Sequence, residues 1–304
     1  GSYFSIFHQF DKQEHLILKK KISNRDSIVI FERGEPVFFE KNHLEIRLSN
    51  RIDVIDIDID NAGKPLTKKN IDIIHISPSH HFPTGIIMPV SRRYELLGWA
   101  ASSDKRYIIE DEYDSEFRFD RHPIPALQTM DVQDKVIYIN TFTKTLSSTI
   151  RVSYMVLPQS LAEKYYKKMS FYSCTVSNFE QYTLAAFMNA GAFEKHINGL
   201  RNYYQHKRDL ILSTFLREPL GKYITISEED SGVHFLMHVN TSMSEQEFLL
   251  KTRAKGIRLA TLSSFYNAEQ KDSRYENTYV MNYSFVNCDR LEYVAQTLYK
   301  IIHP

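Results

Sequence analysis

The stretch Val136-Ile137-Tyr138-Ile139-Asn140-Thr141-Phe142-Thr143-Lys144-Thr145-Leu146 is an apolar, β-branched run that ends in a hydroxyl-rich turn carrying one lysine. Upstream, Tyr107-Ile108-Ile109 is a second apolar run, and it leads into Glu110-Asp111-Glu112-Tyr113-Asp114. Residues 27–31, 52–59, 71–76 and 151–157 also read as strands. Residues 91–103 read as a helix with Ser91 as N-cap. Strands alternating with helices in this half predict an α/β sheet that is at least partly parallel. After Pro158 the pattern changes. Residues 160–198 are mostly helical, and 199–215 continue as a basic, tyrosine-rich helix. Strands at 223–226, 233–239 and 281–285, with helices at 244–255 and 289–302, give the second half an α+β character.

The bulk numbers narrow the function. With 304 residues the chain is long enough for two core-bearing lobes. The formal charge is only +1, so the chain does not present itself as a nucleic-acid-binding surface. Its two cysteines, Cys174 and Cys288, match no disulfide or metal spacing and are expected to be buried thiols in a reducing cytosol. No apolar run approaches the roughly 18 residues of a membrane span, and no signal peptide is visible. The expectation is a cytoplasmic protein with no membrane partner. The opening Gly1-Ser2 reads as the remnant of a cleaved tag, which implies a natural chain extending upstream.

An amine and a carboxylate, each at the end of a strand, are what a pyridoxal 5'-phosphate site requires. The amine of Lys144 would condense with the aldehyde. A carboxylate, Asp111 by its position after the strand, would keep the pyridine nitrogen protonated so that the ring can accept electrons. Tyr113 would reach the phenolic oxygen. Thr141 and Thr143, with Arg151, would form a phosphate grip, because a guanidinium offers paired donors to phosphate oxygens. Each residue also has a plainer reading. A lone lysine after a strand is ordinarily solvated, and residues 110–116 taken alone are an acidic loop facing water. His80-His81 could suggest a metal, but neighbouring histidines on a loop point apart and no third ligand is suitably spaced. No metal is expected, and His81 is assigned instead to a position beside a ring substituent.

The matched segments are Ser77-Pro78-Ser79-His80-His81-Phe82-Pro83-Thr84-Gly85, Met88-Pro89-Val90-Ser91-Arg92-Arg93, Ile108 to Phe117, Ile124-Pro125-Ala126-Leu127-Gln128, Thr141 to Leu146 and Arg151 to Pro158. Together they resemble the MocR/GabR-type branch of the GntR transcription regulators. The resemblance is firm over 77–158 and looser to 304. It implies a PLP-dependent transferase fold of type I (aminotransferase-like): a large cofactor domain over 1–158, shortened at its N-terminus, and a smaller α+β domain over 159–304. It also implies an upstream winged helix-turn-helix that reads operator DNA, a homodimer, a small-molecule effector, and control of a metabolic or efflux-pump operon. By the same resemblance Lys144 is the cofactor lysine, Asp111 the ring-nitrogen partner, Tyr113 a ring-oxygen partner, Arg151 a phosphate ligand and Phe38 the stacking aromatic.

The sequence departs from that pattern in three places. The stretch matching the phosphate-cradling turn, Ser5-Ile6-Phe7-His8-Gln9, has no glycine. Phe39 and Glu40 stand where an effector-binding arginine is expected. In the C-terminal lobe Ser263-Ser264-Phe265 and Asn282 occupy the other carboxylate-binding positions, with Arg258 as a possible substitute. An amino-acid carboxylate therefore lacks its clamp, and no catalytic residue is expected. Three readings stand: a regulator's effector and dimerisation domain, a PLP-dependent aminotransferase, and a dimerisation scaffold without cofactor.

Overall fold

The computed structural model describes residues 72–119, 124–265 and 275–303, together with the backbone of four strands upstream. Three of these, β1 (Leu16–Lys21), β2 (Ser27–Glu32) and β3 (Glu35–Pro36), form an antiparallel sheet. The fourth, β4 (Val54–Asp56), joins β5 (Ile73–Ile76), β6 (Tyr107–Glu112), β7 (Val136–Thr141) and β8 (Ser153–Val156) in one five-stranded sheet in that order. Neighbours from β4 to β7 are parallel, and β8 runs antiparallel to β7. The chain divides into two compact bodies, one of residues 1–81, 87–113 and 124–197, the other of 82–86, 114–123 and 198–304.

The isoleucine runs explain the first body. Ile73, Ile74, Ile76, Ile108 and Ile109 are at most 4% exposed, and neighbours in sequence point to opposite faces. Both faces of β5 and β6 are therefore covered, as parallel strands demand. The helix α1 (Val90–Ala101) connects β5 to β6, and the short α2 (Leu127–Met130) precedes β7. Ser91 is not the N-cap of α1. Pro89 takes that place, and its carbonyl accepts the Arg93 N–H that closes the first turn. Proline, whose ring fixes φ and leaves no N–H to satisfy, is well suited to a helix start.

After β8 come α4 (Gln159–Met169), α5 (Asn178–Asn189) and α6 (Ala192–Phe215), α3 being the single turn at the end of β7 described below. The basic, tyrosine-rich helix expected over 199–215 starts earlier, and α6 runs through Gly199. The chain turns before it at Gly191, whose φ of +66° is open to a residue without Cβ. Cys174 lies exposed in the α4–α5 connection, against the expectation of a buried thiol, while Cys288 is half-buried. The connection packs too little around itself to bury a side chain.

The second body is built on the antiparallel sheet β9 (Ile224–Ser227), β10 (His234–Val239) and β11 (Thr278–Asn282), with β10 central. Helices α7 (Glu245–Ala254) and α8 (Leu291–Ile302) and the end of α6 complete its core. Phe215, Phe235, Met237, Phe248, Tyr279 and Leu298 are all at most 1% exposed there. On α8, Leu291, Ala295, Leu298 and Ile301 form the single buried stripe that a helical period predicts. The strand expected at 281–285 ends earlier, because the Asn282 side chain accepts from Ser284 N and Ser284 Oγ and turns the chain away. Among the described residues no helix is long and apolar enough to cross a membrane.

Candidate functional site

Strand register decides which side chains can meet in the first body. His75 pairs with Ile109, Asp111 with Ile139, and Thr141 with Ser153. Paired residues share a sheet face and alternate residues repeat it. His75, Asp111 and Thr141 therefore stand on one face, and Glu110, Glu112, Tyr138 and Asn140 on the other. Asp111 lies inside β6 rather than in a loop after it, one residue from the carboxyl end of the strand. Its Oδ2 is 3.2 Å from His75 Nε2, and each side chain is 17% exposed. Sequence reasoning missed His75. The signal was register: one strand away, it sits at the height where a carboxylate at residue 111 would find it.

The lysine turn is tied down by hydroxyls. It forms a one-turn helix, α3 (Phe142–Thr145), capped by Thr141, whose Oγ1 accepts from Thr143 N. Thr141 Oγ1 also reaches Val152 O, and Phe142 N donates to the same carbonyl. Thr143 Oγ1 donates to Ile150 O, and Arg151 Nη1 lies 3.2 Å from Thr143 Oγ1. The structure therefore brings Thr141, Thr143 and Arg151 together. Arg151 precedes β8 instead of opening it. Lys144 is half-buried in the last turn of α3. Asp111 and Lys144 thus lie at the carboxyl ends of neighbouring parallel strands, the edge at which open α/β sheets bind ligands.

Tyr113 Oη is 3.3 Å from His80 Nδ1, and the half-buried His81 follows on the same loop. Phe38, like residues 5–9, 39 and 40, lies outside the described residues.

The acidic run is not a solvated loop. Glu110 is 0% exposed and Glu112 3%. Glu112 accepts from buried Ser79 Oγ at 2.6 Å. Glu110 accepts from the N–H groups of Leu127 (2.7 Å) and Gln128 (2.9 Å), the open start of α2. The same segment is also held by Arg93, itself 0% exposed. Its guanidinium donates to Pro125 O (2.9 Å), Pro78 O (2.8 Å) and Met88 O (3.2 Å). Three segments singled out in the sequence thus converge on one buried cation.

Burial pushes the Glu110 carboxyl above its ordinary value of 4.5, while the two backbone donors and Arg93 pull it back. A raised value favours folding only while the group is protonated. That contribution is complete below the unfolded value and is lost as pH climbs through the folded one. Glu110→Gln, which cannot ionise, is therefore expected to gain stability relative to wild type as pH rises from about 4.5 into the neutral range. Thermal melts of both proteins over that range check this; a gap that does not change with pH would contradict it.

In the second body, the positions where carboxylate-binding arginines were sought are engaged locally. Ser263 Oγ donates to the carboxylate of Glu245 and lies 3.2 Å from Thr261 Oγ1. Asn282 closes its own turn, and Arg258 is exposed.

Comparison with known proteins fits this architecture. The model of the aminotransferase class I and II family matches residues 38–274, and the chain belongs to that family. The Pyrococcus horikoshii kynurenine aminotransferase shares its fold, with a TM-score of 0.64 at 24% identity over 77% of this chain and 56% of that one. Within the family, the chain's curated relatives include HTH-type transcriptional regulators and also an aminotransferase. It is 38% identical over 221 residues to the HTH-type transcriptional regulator YdeL of Bacillus subtilis, covering 72% of this chain and 47% of that protein. It is 30% identical to the probable rhizopine catabolism regulatory protein MocR of Rhizobium meliloti, over 65% of this chain and 40% of that protein. The resemblance to MocR-type regulators is thus borne out, and the chain spans about half the length of the curated relatives it matches.

Proposed function

We propose that this chain is the effector-binding and dimerisation part of a MocR-type transcription regulator, and that it holds pyridoxal 5'-phosphate without turning over amino acids. In this reading DNA is contacted by a helix-turn-helix of the kind named in its relatives, and occupancy of the site shifts the dimer between geometries. The donor set suits the cofactor. Asp111, steadied by His75, offers a carboxylate to a ring nitrogen. Tyr113 offers a hydroxyl, Thr143 and Arg151 offer phosphate donors, and Lys144 offers the amine. When bound, the cofactor supplies an aldehyde and an electron-accepting ring. The residues do the orienting: the Thr141 cap and the Thr143–Arg151 contact fix the turn that presents Lys144.

One observation carries the choice of sensor over transaminase. Ser263 is bonded to a carboxylate and Asn282 to its own turn. Neither can offer a substrate carboxylate the paired donors that orient it for proton transfer. Absorption spectra of the chain titrated with pyridoxal phosphate test the reading. Saturable appearance of a cofactor band, with no consumption of amino donors in the presence of oxo acids, is expected. Turnover would favour the enzyme, and a spectrum equal to the sum of its parts would favour the scaffold.

A further inference from the structure

The turn between β9 and β10, residues 228–233, grips two separate stretches of its own body. One is 114–123. Val233 N–H donates to Asp114 Oδ2 (3.2 Å), Gly232 N–H to Phe117 O (2.6 Å), and Phe119 N–H to Asp230 O (3.2 Å). Arg118 and Ser231 form an antiparallel bridge, and Asp114 and Phe117 are at most 1% exposed. The other stretch is 82–86. The Phe82 ring meets the His234 ring edge-on, with 5.3 Å between centroids. Gly85 comes so close that a Cβ there would lie 2.7 Å from Glu228 Cβ. The turn is pinned as well. Gly232 O accepts from Tyr283 Oη (2.6 Å), and Glu229 O accepts from Arg208 Nη1 (3.3 Å).

Both stretches are rooted at residues assigned above to the cofactor. Asp114 follows Tyr113 directly, and Phe82 follows His81 directly. Tyr113 Oη and His80 Nδ1 are 3.3 Å apart. Followed from that contact in both directions, the chain arrives at the same turn. Peptide units are planar, and each residue adds only two soft dihedrals. A displacement of the Tyr113 ring therefore has little chain in which to relax before it reaches the buried Asp114 carboxylate. The plainer reading is that these bonds only hold 82–86 and 114–123 in place. It predicts no response at the turn when the cofactor site fills.

We propose that the 228–233 turn is coupled to the cofactor site through these two stretches, so that pyridoxal 5'-phosphate tightens the turn and a tight turn strengthens cofactor binding. The proposal rests on the cofactor reading above and assigns it a route of regulation. Such a coupling is reciprocal, with factors of roughly 5–150. Amide hydrogen exchange on the wild-type chain, with and without saturating pyridoxal phosphate, tests it. Exchange in peptides spanning 228–236 and 114–120 should slow about five-fold or more, while that of α8 stays as it was. Asp114→Ala should weaken pyridoxal phosphate binding by the same factor and abolish the slowing. Asp114→Asn, whose amide oxygen can still accept from Val233 N–H, should restore both. Absence of any cofactor band would overturn the coupling and the cofactor reading together. A full band with unchanged exchange at 228–236 would overturn the coupling and leave the cofactor standing. Equal slowing in α8 would mean that a bound ligand stabilises the whole fold, which overturns the coupling as well. The exchange measurement needs no variant, so it decides the question even where Asp114→Ala does not fold.

Discussion

Replacing Arg93 by alanine is expected to remove most of the folding free energy of the first body. The guanidinium is fully buried and serves three carbonyls from three separate segments. Truncation would leave Met88 O and Pro125 O without these donors, Pro78 O with the Met88 N–H, Glu110 without its neighbouring cation, and a cavity as large as the side chain. Each orphaned buried acceptor costs about 1–3 kcal/mol, and breaking a buried charge arrangement costs about 3–5 kcal/mol. These contributions overlap and do not add, but even one is large against the roughly 5–15 kcal/mol of a typical native state. Arg93→Lys should recover only part, because one ammonium cannot span three acceptors held by a planar fork. Urea denaturation followed by tyrosine fluorescence provides the measurement. An alanine variant within about 1 kcal/mol of wild type would mean that water replaces the guanidinium at these carbonyls.

Replacing Lys144 by alanine is expected to abolish the cofactor band and any borohydride-fixed label on the peptide containing residue 144. The side chain sits on a turn held by Thr141, Thr143 and Arg151, none of which depends on the lysine amine for its bonds. The fold should therefore survive and only the covalent link be lost. On the proposed reading Thr143, Arg151 and Asp111 would still hold the phosphate and the ring nitrogen, so the dissociation constant should rise by roughly a hundred-fold or more, corresponding to about 3 kcal/mol. Retention of the band in the variant would show that another amine forms the link. His75→Phe makes a useful companion. It leaves Lys144 in place and removes the partner of Asp111, so it should weaken binding while preserving the label.

Part of this organisation was legible in the sequence. The parallel sheet was, because strands covered on both faces need unbroken isoleucine runs such as Tyr107-Ile108-Ile109. The placement of Lys144 and Asp111 near the carboxyl ends of neighbouring strands was also legible, since each lies within a few residues of such a run. The fate of Glu110 was not. Its partners, the amides of Leu127 and Gln128 and the neighbouring Arg93, lie 17 or 18 residues away in the chain, so no local pattern distinguishes it from a solvated acid. His75 was invisible for a related reason: its contact with Asp111 spans 36 residues and depends on strand register. Ser91 was misassigned because serine is the commoner cap, while Pro89 two residues earlier already satisfied the helix start.

The route of the chain between its two bodies limits how it can be divided. It passes from one to the other at 81–82, 86–87, 113–114, 123–124 and 197–198. Two short excursions, 82–86 and 114–123, leave the first body and return to it, and the second of them begins directly after Tyr113. No single cut releases either half intact. A protease nick at 197–198 leaves residues 82–86 and 114–123 of the second body on the other fragment, so no uninterrupted stretch of gene encodes that body alone.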